Sequence, residues 1–169
     1  MSYCNKSSHM TSLNIRPVTP EDVQVLFNLI KALAEYEQLG DQVVGNPSKL
    51  KKHLFGEKPC IEAVLAEWSG ETAGFALFFP NYSTFLTQPG LYLEDLFVLP
   101  EYRRRGIAKA IFIYLAKLAL QRGNGRFEWS VLDWNKPAIA FYEKMGAEIL
   151  SEWRTCRISG EALLELSSK

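Results

Sequence analysis

Leu91-Tyr92-Leu93-Glu94-Asp95-Leu96-Phe97-Val98-Leu99-Pro100-Glu101-Tyr102-Arg103-Arg104-Arg105-Gly106-Ile107-Ala108 reads as a buried strand, a short basic turn with a glycine, and the start of a helix. That order gathers free backbone N–H groups and the positive end of a helix dipole at one spot. The arginines at 103, 104 and 105 add charge there. Such a spot suits a pyrophosphate. A P-loop would need Gly-Lys-Ser/Thr, and a dinucleotide-binding turn would need the glycines of G-x-G-x-x-G. Neither pattern is present.

Outward from this stretch the chain parses into alternating elements. Residues 13–17 form a first short strand. Thr19-Pro20-Glu21-Asp22 starts a helix: Thr19 can cap it, Pro20 suits the first helical position, and the acids sit at the positive end of the dipole. Val23, Phe27, Ile30 and Ala34 then recur at helical spacing, and the helix fades near Gly40. Asn46-Pro47-Ser48 opens a second helix that ends near Gly56. Residues 61–68 and 72–79 are strands joined by a Ser69-Gly70 hairpin turn. Residues 80–90 read as a polar loop with aromatics, and 91–98 as the next strand. A helix over 106–122 is stopped by Gly123 and Gly125, and a strand over 126–132 follows. Asn135-Lys136-Pro137 leads into a helix over 138–145, ended by Gly146. Residues 149–153 and 155–158 read as two last strands, and 160–168 as a short helix. The order predicts an α/β fold with a mixed central sheet and helices on both faces, in one domain over residues 13–169.

A chain of 169 residues suits one domain with a substantial core. Lys+Arg and Asp+Glu both number 19, so whole-chain charge argues against a general nucleic-acid binder. The cysteines are Cys4, Cys60 and Cys156, an odd set that is widely spaced. They offer neither a metal-ligand spacing nor a disulfide framework, and a reducing cytoplasm is the expected location. No apolar run reaches membrane-spanning length. Residues 1–12 are polar and lack the apolar centre of a secretory signal. They are expected to be a disordered lead-in or a tag remnant, with Met10 as the native start.

Arg103-x-x-Gly106-x-Ala108 resembles the acetyl-CoA loop of the GCN5-related N-acetyltransferases (GNAT), Arg/Gln-x-x-Gly-x-Gly/Ala. Collinear segments extend the likeness: Ile15-Arg16-Pro17, Ala34-Glu35-Tyr36-Glu37, Asp41-Gln42-Val43, Leu91 to Asp95, and Val131-Leu132-Asp133-Trp134-Asn135 followed by Phe141-Tyr142. Within the family the chain is most similar to the spermidine/spermine and thialysine N-epsilon-acetyltransferase branch. The resemblance covers residues 13–169 and implies acetyl-CoA as co-substrate, with no metal. It implies that the main chain of Leu96, Phe97 and Val98 pairs with the pantetheine arm. The turn Arg103, Arg104, Arg105, Gly106, Ile107, Ala108 and Lys109 would hold the pyrophosphate, with Gly106 allowing close approach and Arg103 giving charge-assisted hydrogen bonds. Arg104 stands where relatives often have glycine. Asn135, Pro137 and Ala138 would meet the pantetheine end, although Asn135 suits a plain helix cap equally well.

Acetyl transfer to an amine needs a neutral amine, donors for the oxyanion and a proton for the leaving thiolate. The only histidines, His9 and His53, lie away from the strand–turn–helix stretch, and no cysteine has a reactive setting. Tyr142, seven residues after Asn135, stands where the resemblance implies the acid, and a phenol is protonated at neutral pH. The resemblance gives Glu94 the role of base, acting through water. By strict strand alternation Glu94 and Asp95 point to opposite faces unless a bulge intervenes.

A cationic substrate wants carboxylates around its cleft. The resemblance implies Tyr36, Glu37, Glu94, Asp95, Glu128 and Glu152 as the substrate-side residues. For Glu37, Glu128 and Glu152 a solvated surface charge is the competing reading. The loop Asn81-Tyr82-Ser83-Thr84-Phe85 lacks the acid that polyamine enzymes of the branch carry there. This favours thialysine, lysine, ornithine or a short diamine over spermine. The branch also implies a homodimer, with Trp153, Ile158, Leu163, Leu164 and Leu166 available for the contact. Alternatives are a peptide or protein N-acetyltransferase, which would need an open cleft, and a non-catalytic acyl-CoA sensor, which would lose the acid and base.

Overall fold

The computed structural model describes residues 12–169, so the expected lead-in lies outside the described residues except for Ser12, and Cys4 and His9 lie outside them too. The chain divides into two compact units at Ser130/Val131. The first holds a five-stranded sheet in the order β1 (Leu13–Pro17), β2 (Glu62–Trp68), β3 (Glu71–Ser83), β4 (Gln88–Val98), β5 (Phe127–Trp129). Neighbours run antiparallel except β4 and β5, which are parallel. The sheet is therefore mixed, as expected.

Helix α1 (Val23–Tyr36) begins one turn later than its signals suggest. Thr19 and Asp22 still act as a pair: Asp22 Oδ2 accepts from the Thr19 N–H at 2.7 Å and from its hydroxyl at 2.9 Å. Arg16 then clamps Asp22 through two nitrogens and reaches Glu67 at 2.8 Å, tying β1, β2 and the start of α1 together. Helix α2 (Pro47–Phe55) has the expected cap, Asn46 Oδ1 accepting the Lys49 N–H at 2.9 Å. Leu26, Leu29 and Leu33 of α1 and Leu54 of α2 pack on Ala63, Leu65, Phe75, Leu77 and Phe97. The alternate strand residues Val64, Ala66, Ala76 and Phe78 are equally buried, and by strand alternation they point to the other face. Helix α3 (Ile107–Gln121) packs on β3 and β4 with Ile107, Ile111 and Leu115 buried. Ser69 and Gly70 both have positive φ, 52° and 87°, as a two-residue hairpin turn requires.

Two expectations about the sheet are corrected. Residues 80–90 are not a loop: β3 and β4 pair out to Ser83↔Gln88, leaving only 84–87 as connection. Pro80 is tolerated because the pairing of β3 with β2 ends at Phe78, so beyond it β3 has one free side where no N–H is needed. β5 is shorter than its pattern, ending at Trp129.

The second unit, Val131–Lys169, contains α4 (Lys136–Lys144) and α5 (Glu161–Ser167). The two strands expected over 149–153 and 155–158 are absent from it, because no ladder partner engages them. Local turns form instead, with the Ser151 N–H bonded to Ile149 O and that of Trp153 to Leu150 O. β-Branched and aromatic residues make a strand only where a neighbouring edge receives them.

Candidate active site

The site in the first unit is built where β4 outruns its parallel neighbour. Pairing with β5 runs from Leu91↔Phe127 to Leu93↔Trp129 and stops there. Leu96, Phe97 and Val98 lie beyond it, paired only on their β3 side, to Ala76, Phe75 and Gly74. Gly74 is needed for this pairing: a Cβ on it would run into the Phe97 carbonyl and sit 3.1 Å from Val98 Cα.

After Val98 the chain makes a short helical turn and reaches Gly106, the N-cap of α3, at φ 80°. A β-carbon is strongly disfavoured at that φ, and open space surrounds the position. Arg104 also adopts a positive φ, 62°. Within α3 the first N–H with a carbonyl partner is that of Ala110, bonded to Gly106 O. The preceding N–H groups at the helix start are therefore open to an anion. The arginines divide the work. Arg104 is exposed. Arg105 donates to Glu101 O at 3.1 Å and leans on Trp68 and Tyr102. Arg103 turns inward: Nε donates to Val98 O at 3.0 Å, and the guanidinium lies 4.5 Å from the Tyr36 ring centre and 5.5 Å from that of Phe97.

Tyr36 closes α1 and Glu37 caps it. The helix ends by turning Gln38 to φ 60°, with the Gln38 N–H bonded to Glu35 O and the Leu39 N–H to Ala34 O. This left-handed exit usually calls for glycine. It fixes where Tyr36 and Glu37 stand. Glu37 is half-buried, which pushes its carboxyl up.

Opposite them, β4 carries a bulge. Leu77 pairs with Asp95 but Phe78 pairs with Leu93, leaving Glu94 as the extra residue. Leu77 and Phe78 face opposite sides, so Leu93 and Asp95 do too, and simple alternation is broken. Asp95 consequently shares a face with Phe97 beneath α1. Burial, then the charges of Glu94 and Glu37, push its carboxyl up to about 7. Glu94 itself is exposed. The structure thus brings Glu37 and Glu94 into electrostatic reach of Asp95.

Glu128 is engaged inside the sheet. Its carboxylate accepts from Asn81 Nδ2 at 2.7 Å, and Arg126 Nε lies 2.6 Å away as an ion pair. Gly90 lies between Asn81 and Arg126, and a Cβ there would meet both side chains. The carboxylate expected to face a substrate is therefore already matched in charge.

In the second unit, Asn135 caps α4, its Oδ1 accepting the Ala138 N–H at 3.3 Å. Pro137 occupies the first turn. Tyr142 is buried on the same helix, its ring 5.3 Å from that of Phe141. Glu152 is exposed in a turn.

The model of the acetyltransferase (GNAT) family matches residues 28–147. The chain belongs to this family. It is 39% identical to the thialysine N-epsilon-acetyltransferase of Sus scrofa, covering 95% of this chain and all (100%) of that one. It is 35% identical to an L-ornithine N5-acetyltransferase of Arabidopsis thaliana, over 93% of this chain and 89% of the relative. Among solved structures, an integron cassette protein from the mobile metagenome of V. cholerae superposes with a TM-score of 0.77 over 94% of this chain and 99% of its own, at 24% identity. That last likeness concerns the fold alone. The protein is an N-acetyltransferase. Among its described residues no helix is long and apolar enough to cross a membrane.

Sequence reasoning missed three features of this GNAT site. Gly74, inside an apolar run, carries no motif. Gln38 gives no signal of the left-handed turn it makes. The inward use of Arg103 depends on rings that are far away in sequence.

Proposed function

We propose that this chain transfers the acetyl group of acetyl-CoA to the terminal primary amine of a small cationic substrate, thialysine, lysine, ornithine or a short diamine. The gathering of Glu37, Glu94 and Asp95 around the bulge in β4 carries the reading, because it offers a cation several carboxylates on the strand that leads into the anion-binding turn. The names of the relatives, which act on thialysine and on ornithine, point the same way. When bound, acetyl-CoA supplies the thioester whose carbonyl carbon the amine attacks directly, breaking the C–S bond. Glu94 takes the ammonium proton through water, and Asp95, Glu37 and Tyr36 hold the cation. Tyr142 gives its hydroxyl proton to the departing sulfur. The main chain of residues 96–98 and the turn of residues 104–109 receive the co-substrate, with Asn135, Pro137 and Ala138 at its pantetheine end. The open N–H groups at the start of α3 and the clear space over Gly106 fit a pyrophosphate.

In this reading residues 13–169 act as one catalytic domain, cytoplasmic and homodimeric. Exposed Trp153, Ile158 and Leu164 of the second unit supply apolar surface for the dimer. The test is free-CoA release with acetyl-CoA and a panel of thialysine, lysine, ornithine, putrescine, spermidine and spermine. Preference for a short amine is expected. Binding of CoA without turnover of any of them would favour a peptide substrate or a sensor.

A further inference from the structure

Arg103 heads the turn that reads as a phosphate site, yet its guanidinium is spent inside the first unit. Nε is fastened to Val98 O at 3.0 Å. Its central carbon lies 4.5 Å from the centre of the Tyr36 ring and 5.5 Å from that of Phe97, and these rings are themselves 6.1 Å apart. A guanidinium held over aromatic rings and hydrogen-bonded through Nε makes a set of contacts that an ammonium cannot copy. Tyr36 is the last residue of α1 and Glu37 its cap, on a helix end turned sharply by the left-handed Gln38. Tyr36 is partly exposed, at 38%.

We propose that Arg103 is a positioning residue for the acceptor amine: it braces Tyr36, and through it Glu37, against β4, linking the co-substrate turn to the amine end of the site. Phosphate binding then falls to the backbone N–H groups at the start of α3 and to exposed Arg104. The inference rests on the proposed amine acetyltransferase reading. It assigns Arg103 a task that its place in the turn does not suggest. The link also gives a physical route by which ordering of the turn orders the amine end.

Arg103→Lys keeps the charge and removes the guanidinium from over the rings together with the Nε bond. It should raise the KM for the amine about tenfold, while kcat and the Kd for CoA by calorimetry stay within about twofold. Tyr36→Leu, which removes the ring, should do the same. The double variant Arg103→Lys/Tyr36→Leu should be no worse than either single one, as expected of groups acting through one contact. Amide hydrogen exchange at residues 36–39 should quicken in Arg103→Lys with α3 unchanged, a readout independent of turnover. Unchanged exchange at 36–39 overturns the proposal whatever the activity. So does a CoA affinity that falls more than about fivefold while the amine KM holds, which would return Arg103 to the phosphates. Wild-type protein that neither binds CoA nor turns over any amine would sink the functional reading alone, and the exchange measurement would still decide the brace.

Discussion

Replacing Asp95 with Asn removes one ionisable group from the bulge in β4 and should flatten the dependence of stability on pH. Asp95 has an ordinary value of 3.8, and burial, with Glu94 and Glu37 beside it, pushes it up to about 7. A carboxyl that keeps its proton in the folded chain and loses it in the unfolded one favours folding only at low pH. Its stabilising effect is whole below 3.8 and is lost as pH rises through about 7. At about 1.4 kcal/mol per pKa unit, the full interval corresponds to about 4 kcal/mol. The side chain is half-buried and keeps some contact with water, which brings the expected effect to about 2 kcal/mol. Urea unfolding of wild type and Asp95→Asn, in steps from about pH 4 to about pH 8, reads it directly. Groups common to both proteins cancel in the difference, so the variant should gain about 2 kcal/mol on wild type between the two ends. A flat difference would show Asp95 to be an ordinary solvated carboxylate, and the reasoning from the bulge would fail. The same electrostatics imply that an ammonium beside Asp95 expels its proton. Amine binding near neutral pH should then release protons, seen as calorimetric heats that change with the buffer's ionisation enthalpy.

Gly90→Ala should cost about 1–3 kcal/mol in chemical denaturation, because the new Cβ strikes Asn81 and Arg126 where they meet Glu128; an unchanged midpoint would deny that contact. Arg104→Gly should stabilise by about 1 kcal/mol, raising Tm by about 2–4 °C, since the φ of 62° is unfavourable for arginine and free for glycine. A lower Tm would mean that the arginine side chain contributes more than the backbone loses. Tyr142→Phe should slow turnover by about a hundredfold with CoA affinity intact, and unchanged turnover would remove its role as acid.

The strand–turn–helix stretch was legible because its chemistry is local. A left-handed glycine at a helix start, an asparagine cap at 46 or 135, and a Ser-Gly hairpin each depend on residues within a few positions of one another. The family likeness was legible for the same reason, as collinear short segments. The misreadings share a cause in partners distant in the chain. Pro80 looks like a strand breaker until β2 is seen to end at Phe78 and leave that side of β3 free. Residues 149–158 look like strands, but a strand is made by its neighbour's edge as much as by its own side chains.

The amino-acid sequence by itself determined the order of elements from β1 to α4, the asparagine caps, the glycine-headed turn before α3 and the family, all of which follow from short-range backbone preferences and hydrophobic period. Only the tertiary structure decided how the charges are used. It put an extra residue into β4 so that Glu94 and Asp95 escape strict alternation, engaged Glu128 with Arg126 and Asn81, and laid Arg103 on Tyr36 and Phe97. Carboxylates and guanidinium groups are set by what stands within a few ångströms of them, and those neighbours come from register and packing rather than from adjacency in the chain.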